Sequence, residues 1–377
     1  MNVSFHTTAG AEEAEGAEEA ARERIPADLF YQASRHLQKA KGRIDPVYKE
    51  WEAIKPSLHD YEFVYTSSNG RKNIADKMPV SRSYFKMKEM LQSHEIPLSV
   101  SKGEYKAVCL AEAPGGFLQC LREVGVGDLH GITLISPDRK VPYWNRSLLQ
   151  AGIHFHAGLS DDGDLYKFAN ILRFVKDIGA GTADLVTGDG GFDNSADYNH
   201  QEMNSFKLIY SEVYLALLLQ KKGGTFVCKL FDTFESKTVA LLDILRSCYD
   251  EISLYKPCIS RISNSEKYVV CKGFRGYRVP QMNHLTHHFE DTDIDERASP
   301  AFLAEMISYT ERYTGQQIKS IERGLRLIAS TPRRGSPNRR GGFPSYKDVK
   351  PTNFQVSVAK EWCQTYKVPI NQGCQYL

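Results

Sequence analysis

The sequence predicts a doubly wound α/β protein, with a mostly parallel, Rossmann-like sheet, one antiparallel strand and helical extensions at both ends. Three observations predict it. Short apolar runs of strand length alternate with helical patterns between residues 107 and 274, as crossover units feeding a parallel sheet do. Two strand ends run into glycine pairs, Gly115-Gly116 and Gly190-Gly191, at the edge where open α/β sheets bind ligands. The last two strand patterns are separated only by residues 257–266, too short a span for a parallel crossover, so they form a hairpin.

Taken in order, residues 1–23 form an Ala/Glu/Gly-rich acidic tail with few aromatics, expected to be disordered. Residues 24–80 make an N-terminal extension with helical stretches at 27–41 and 46–54. Ser81 caps a helix running to about Gln92. Then follow strand 107–111, a glycine turn and helix 117–124, closed by Gly125. Strands at 130–135 and 152–156 lead to helix 165–178 and strand 183–187. A helix over 202–222 carries Phe206, Ile209, Val213 and Leu217 on one stripe and stops at Gly223-Gly224. Strand 225–231, helix 236–249 and strands 252–256 and 267–274 complete a core of 81–276. Residues 277–377 are a helical appendage, with helices at 301–327 and 354–367 joined by a Pro/Gly/Arg linker, 330–345.

The 377 residues are 41% hydrophobic and 25% charged, enough to bury a core. The net charge of +2 discriminates little, although Arg333, Arg334, Arg339 and Arg340 cluster in the linker. The eight cysteines form no CxxC pair and no zinc-like grouping, and apolar neighbours suit reduced, buried thiols. No run approaches the roughly 18 apolar residues of a membrane span, and no apolar signal core opens the chain. A soluble intracellular protein, nuclear or cytoplasmic, is expected, with no membrane partner.

Four segments carry chemistry. Glu112-Ala113-Pro114-Gly115-Gly116-Phe117 lies where a strand meets a helix, and its glycines let backbone approach a ligand near free helix N–H groups. Its spacing is neither GxGxxG nor a phosphate loop, which disfavours a dinucleotide oxidoreductase or an ATPase. Asp189-Gly190-Gly191-Phe192 ends another strand and points an acid into the crevice, unless Asp189 merely closes its own turn. Lys229 sits in the apolar strand Thr225-Phe226-Val227-Cys228-Lys229-Leu230-Phe231, where an unpaired ammonium is costly; an edge lysine reaching solvent is the ordinary alternative. Asn264-Ser265-Glu266-Lys267-Tyr268 bridges the final hairpin and could be turn chemistry alone.

In this order the segments resemble the FtsJ-like ribose 2′-O-methyltransferases, nearest to the eukaryotic and viral mRNA cap 2′-O-methyltransferases. The likeness covers 81–276, a little over half the chain. It implies a Lys-Asp-Lys-Glu tetrad at Lys86, Asp189, Lys229 and Glu266. Lys86 belongs to Arg82-Ser83-Tyr84-Phe85-Lys86-Met87, and Lys88 is its competitor, but two positions turn a helix by about 200°, so only one faces the site. We take Lys86. The cofactor implied is S-adenosylmethionine, held by Pro114, Gly115, Gly116, Phe117 and Asp189, with Asp164 beside the adenine unless it serves only as a helix N-cap. Arg82, Tyr84, Asn199, Arg261 and Asn264 are candidate cap or RNA contacts, since methylated guanine carries a positive ring that aromatics can sandwich.

The expected reaction is methyl transfer to the ribose of the first transcribed nucleotide of capped mRNA. Alternatives are another RNA, the second nucleotide, or a non-catalytic capped-RNA-binding module, which the filled tetrad disfavours. Lys229 is the candidate base, or else only steers the hydroxyl oxygen; its pKa is expected to fall through burial and the neighbouring Lys86 charge, unless excess acid at Asp189 and Glu266 undoes the effect. No metal is expected. Capped mRNA is the expected partner, with other capping or transcription proteins beside it.

Overall fold

The computed structural model describes residues 2–6 (backbone only), 22–98, 105–191, 200–331 and 349–377. Along the chain, strand β1 (Asn2–His6) and the two-residue strand β2 (Glu23–Arg24) precede helices α1 (Tyr31–Gly42), α2 (Tyr48–Leu58) and α3 (Ser83–Ser93). The alternating region then runs β3 (Lys106–Leu110), α4 (Gly116–Glu123), β4 (Asp128–Ile132), β5 (His154–His156), α5 (Phe168–Ile178) and β6 (Ala183–Gly188). It continues through α6 (Gln201–Leu219), β7 (Gln220–Leu230), α7 (Ser236–Cys248), β8 (Tyr249–Tyr255) and β9 (Lys267–Phe274). Helix α8 (Val279–His287), strand β10 (Arg297–Ala298) and helices α9 (Pro300–Ser330) and α10 (Asn353–Thr365) follow.

These elements divide between two compact units. The first comprises Met1–Phe30, Pro79–Pro257 and Glu266–Tyr309; the second comprises Tyr31–Met78, Cys258–Ser265 and Thr310–Leu377. The division departs from consecutive blocks at 24–80, 81–276 and 277–377. Both flanks contribute to each unit, and hairpin loop 258–265 belongs to the second.

The first unit is built on an eight-stranded sheet in the order β1-β8-β9-β7-β6-β3-β4-β5. Its five central and outer strands β7, β6, β3, β4 and β5 are mutually parallel, and β9 runs antiparallel to both β7 and β8. This is the expected Rossmann-like sheet with its hairpin. One strand more is antiparallel than expected: β1 pairs with β8 from Asn2 to His6, inside the segment read as a disordered tail. A five-residue strand at a terminus gains its partner only in the folded sheet, so low-complexity composition nearby conceals it. Helix α8 and the β2–β10 pair were likewise not expected.

The sheet forms where the sequence is continuously apolar. Val108, Cys109 and Leu110 of β3, Leu185 and Val186 of β6, and Val227 and Cys228 of β7 are fully buried, as strands covered on both faces require. Helix α6 is buried nearly all round, from Phe206 to Leu219, which marks it as a central packing element. It ends at Leu219, not at Lys222. Gln220 joins the sheet opposite Ala183, and its side-chain oxygen accepts from the Tyr249 hydroxyl, so a strand begins where helical periodicity still reads.

In the second unit, α10 is opened by a capping box between Thr352 and Gln355. The Gln355 amide donates to Pro56 O (2.8 Å) and His59 O (3.0 Å). Most of linker 330–345 lies outside the described residues, while α9 runs to Ser330. None of the eight cysteines is in a disulfide, and all but Cys258 are buried. No helix among the described residues is long and apolar enough to cross a membrane.

At the C-terminal end of β4 the chain returns as a tight loop. Ile135 N donates to Asp162 O (2.7 Å) and Gly163 N to Ala157 O (2.8 Å). Gly163 has φ 61°, and a Cβ there would lie 1.9 Å from Thr133 O, so the loop is pressed on the strand end by backbone alone. Gly163→Ala should therefore cost about 1–3 kcal/mol in chemical denaturation. Unchanged stability would mean the loop does not pack this closely in solution.

Candidate active site

Parallel strands deliver their C-terminal ends to one edge, and an antiparallel strand starts at that edge. Leu110, Gly188 and Leu230 finish β3, β6 and β7, whereas Lys267 begins β9 and pairs with Leu230. Asp189, Lys229 and Glu266 therefore arrive together, although up to 77 positions separate them in sequence (266 minus 189). Strand β7 lies between β9 and β6, so Lys229 is not an edge lysine.

The four expected tetrad residues converge. Lys86 Nζ lies 2.7 Å from Glu266 Oε2, with the side chains 14% and 16% exposed. Lys229 Nζ donates to Asp189 O at 2.7 Å and lies 3.3 Å from Asp189 Oδ1. Lys86, rather than Lys88, takes the inward position on α3. Tyr268, opposite Lys229 in the β7–β9 register, links the two pairs. Its hydroxyl donates to Asp189 Oδ1 (2.8 Å), and Lys86 Nζ stands 5.9 Å from its ring centroid.

The charges do not behave as expected from Lys229 and Lys86 alone. Burial works to lower the Lys229 pKa, but Asp189, Glu266 and Glu212 outweigh it and hold the group above the ordinary lysine value. The expected depression is thus overturned, because three carboxylates surround the ammonium. Burial would raise Glu266, yet Lys86, Lys229 and Lys256 pull it down to about 2. Lys256 is a site lysine that sequence reasoning missed. It donates from Nζ to Glu266 O (2.6 Å), and burial lowers it to about 7 against the opposing pull of Glu266.

Glu112 was also missed. Its carboxylate accepts from Phe117 N (2.6 Å) and Leu118 N (3.2 Å), so these helix N–H groups are not free for a ligand as expected. Burial, with Asp189 adding, raises Glu112 to about 8 against those hydrogen bonds. The turn presses α4 against α3: a Cβ on Gly116 would lie 2.1 Å from Ser83 Oγ and 2.8 Å from Tyr84 N. Gly115, Gly116 and Phe117 are buried, leaving Ala113 and Pro114 partly exposed. An acid just ahead of a Gly-Gly helix start is a legible capping signal.

Asp164 follows the Gly163 loop beside the β4 end and accepts from Tyr166 N (2.9 Å). It is not an N-cap, because α5 begins at Phe168 with Lys167 in that position. The expected cap contacts fare unevenly. Arg82 precedes Lys86 by four residues as the N-cap of α3. Tyr84 is corrected: its ring is 6% exposed and its hydroxyl donates to Glu123 (2.8 Å), so it offers no face for stacking. In the second unit, Arg261 donates to both oxygens of fully buried Glu62 (2.7 and 3.0 Å), a structural ion pair rather than a ready phosphate contact. Asn264 accepts from Ser260 Oγ (3.4 Å). Asn199 lies outside the described residues.

Residues 79–274 match the family described as FtsJ-like methyltransferase. The chain belongs to that family. Among its relatives is the cap-specific mRNA (nucleoside-2′-O-)-methyltransferase 1 of Trypanosoma brucei brucei, 31% identical over 61% of this chain and 62% of that protein. The protein of the same name from Caenorhabditis elegans is 30% identical over 76% of this chain and 34% of its own length. An inactive cap-specific mRNA (nucleoside-2′-O-)-methyltransferase 1B of Caenorhabditis briggsae is 40% identical over 31% of this chain and 14% of its own. The chain thus spans less than two thirds of these relatives.

Glu212, fully buried on α6, accepts from Gly190 N (3.2 Å) and Cys228 Sγ (3.2 Å). Burial raises it to about 7 from 4.5, against those partners and Lys229. A carboxyl raised on folding stabilises fully below its unfolded pKa, and that contribution is lost as pH rises through the folded value. Glu212→Gln keeps an acceptor but removes the titration, so the decline in stability between about pH 5 and 8 should flatten. Urea unfolding across that range reads this out, and an unaltered slope would place the proton elsewhere.

Proposed function

We propose that the chain transfers the methyl group of S-adenosylmethionine to the 2′ hydroxyl of the first transcribed nucleotide of capped mRNA. The observation that carries the reading is the pair of ion pairs, Lys86–Glu266 and Lys229–Asp189, joined through Tyr268 at the ligand edge of a methyltransferase sheet. The names of the relatives support the capped substrate.

The residues present fit the cofactor by chemistry. Asp189 stands at the edge, its Oδ1 held by the Tyr268 hydroxyl and near Lys229 Nζ, and carboxylates complement a sulfonium cation. Pro114 to Phe117 and Asp189 would hold the cofactor, with Asp164 at the adenine end. When bound, the cofactor supplies an activated methyl group. The protein's task is then to fix the ribose oxygen in line and provide for its proton, a positioning effect worth on the order of 7–11 kcal/mol in favourable systems.

Lys229 rests as the ammonium, because its carboxylate neighbours favour that form. In this state Nζ orients the hydroxyl oxygen through a hydrogen bond. The bound cofactor would supply the methyl group that replaces the hydroxyl proton, and in molecules where Lys229 is neutral its Nζ would accept that proton. Lys86 and Glu266 hold each other at 2.7 Å and keep a balancing charge beside the oxygen. Arg82 is the remaining candidate for an RNA contact on α3, and capping or transcription proteins are candidate partners.

Lys229→Ala should lower methyl transfer to capped RNA roughly 10²–10⁴-fold while leaving S-adenosylmethionine affinity nearly unchanged; retained turnover removes the mechanism. Nuclease mapping of labelled product separates first-nucleotide transfer from the second, and uncapped RNA in parallel tests other substrates. Because the Lys229 pKa is raised, wild-type rates limited by chemistry should still climb at about pH 9. A plateau near neutrality would show that another group takes the proton.

A further inference from the structure

Apart from the methyl-transfer site, the described residues gather a second set of ligating side chains. One ligating atom each from His284, His288 and Asp293 lies within 4.8 Å of the other two. No metal was expected, because no His/Cys/Asp grouping of the usual kind stands out in the sequence and sulfonium transfer needs none. The legible signal was the four-residue spacing of His284 and His288, which puts two imidazoles on one helix face.

Several independent features suit a cation here. His284 Nε2 is buried and has no hydrogen-bond partner, an arrangement that leaves a polar atom unsatisfied. The rings of His284 and His288 lie 4.5 Å apart between centroids. His288 Nδ1 stands 3.2 Å from both carboxylate oxygens of Asp291, the kind of outer carboxylate that sets the tautomer and direction of a ligating histidine. The pair sits at the C-terminal end of α8, where the helix dipole favours positive charge.

The backbone beneath is held in place. Tyr210 Oη donates to Leu285 O (2.8 Å), Tyr214 Oη meets Thr286 Oγ1 (2.9 Å), and Lys207 Nζ donates to Glu290 O (3.0 Å). Asp293 is exposed and its side chain can rotate inward. Tetrahedral bonds of about 2.0–2.2 Å to zinc put ligand atoms roughly 3.4 Å apart, so the three draw together by up to about 1.4 Å.

We propose that His284, His288 and Asp293 bind a divalent transition-metal ion of the zinc class, through two imidazole nitrogens and one carboxylate oxygen, with solvent completing the shell. Two imidazoles select against calcium and magnesium, which take oxygen ligands. The bound ion ties the end of α8 to the loop that follows it.

The test uses the full chain, stripped with a chelator and titrated with zinc chloride by calorimetry, with thermal unfolding in parallel. One equivalent should bind and raise Tm, and magnesium should do neither. His284→Ala/His288→Ala should abolish the stoichiometric binding and the Tm shift. Asp291→Ala should weaken affinity roughly 10–100-fold. Asp293→Ala, an exposed change, serves if the double variant fails to fold, and it too should weaken binding. Equal zinc binding by the wild type and these variants would assign the ion to cysteines such as Cys258 and overturn the proposal, as would no saturable binding by the wild type.

Discussion

The site depends on one constraint, the antiparallel pairing of β9 against β7. Backbone hydrogen bonds set Lys229 opposite Tyr268 and Leu230 opposite Lys267. That register brings the start of one strand to the end of the other, and with it Glu266 to the edge where Asp189 already stands. A slip of one residue would send Tyr268 to the other face of the sheet, taking its hydroxyl from Asp189 and its ring from Lys86 together. Helix α3 completes the set because Gly116 allows it to approach α4 at backbone distance.

Burial alone would discharge this many ionisable groups. Pairing opposes this: Lys86 lies against Glu266, Lys229 against Asp189, and Lys256, still lowered to about 7, on the Glu266 carbonyl. Lys229 is held above its ordinary value, and Lys256 is less depressed than burial alone would make it. A simple picture of a desolvated lysine acting as a ready base does not hold for Lys229. In the proposed reaction the ammonium can only orient the acceptor oxygen, and a proton can be taken up only where Lys229 is neutral.

Much of this was legible in the sequence. Alternation of apolar runs and helical stripes marked the parallel strands, the short 257–266 connection marked the hairpin, and the family resemblance pointed to Lys86, Asp189, Lys229 and Glu266, which the fold brings to one edge. What was not legible depends on tertiary partners. Strand β1 exists through β8, Gln220 leaves helical periodicity to pair with Ala183, and Arg261 looks like a surface cation until Glu62 is found buried beneath it. Tyr84 is similar, since its exposure is decided by α4 and not by its neighbours in the chain. Glu212 and Tyr268 carried weaker signals, an acid in the apolar middle of a helix and an aromatic two residues after Glu266.

The Glu112 carboxylate closes the glycine turn from within, by accepting the first N–H groups of α4. Such a turn is shaped before any occupant arrives. A small molecule settling on it meets a rigid socket and forfeits little chain entropy in ordering it, so its residence is governed by fit and charge rather than by refolding of the loop around it.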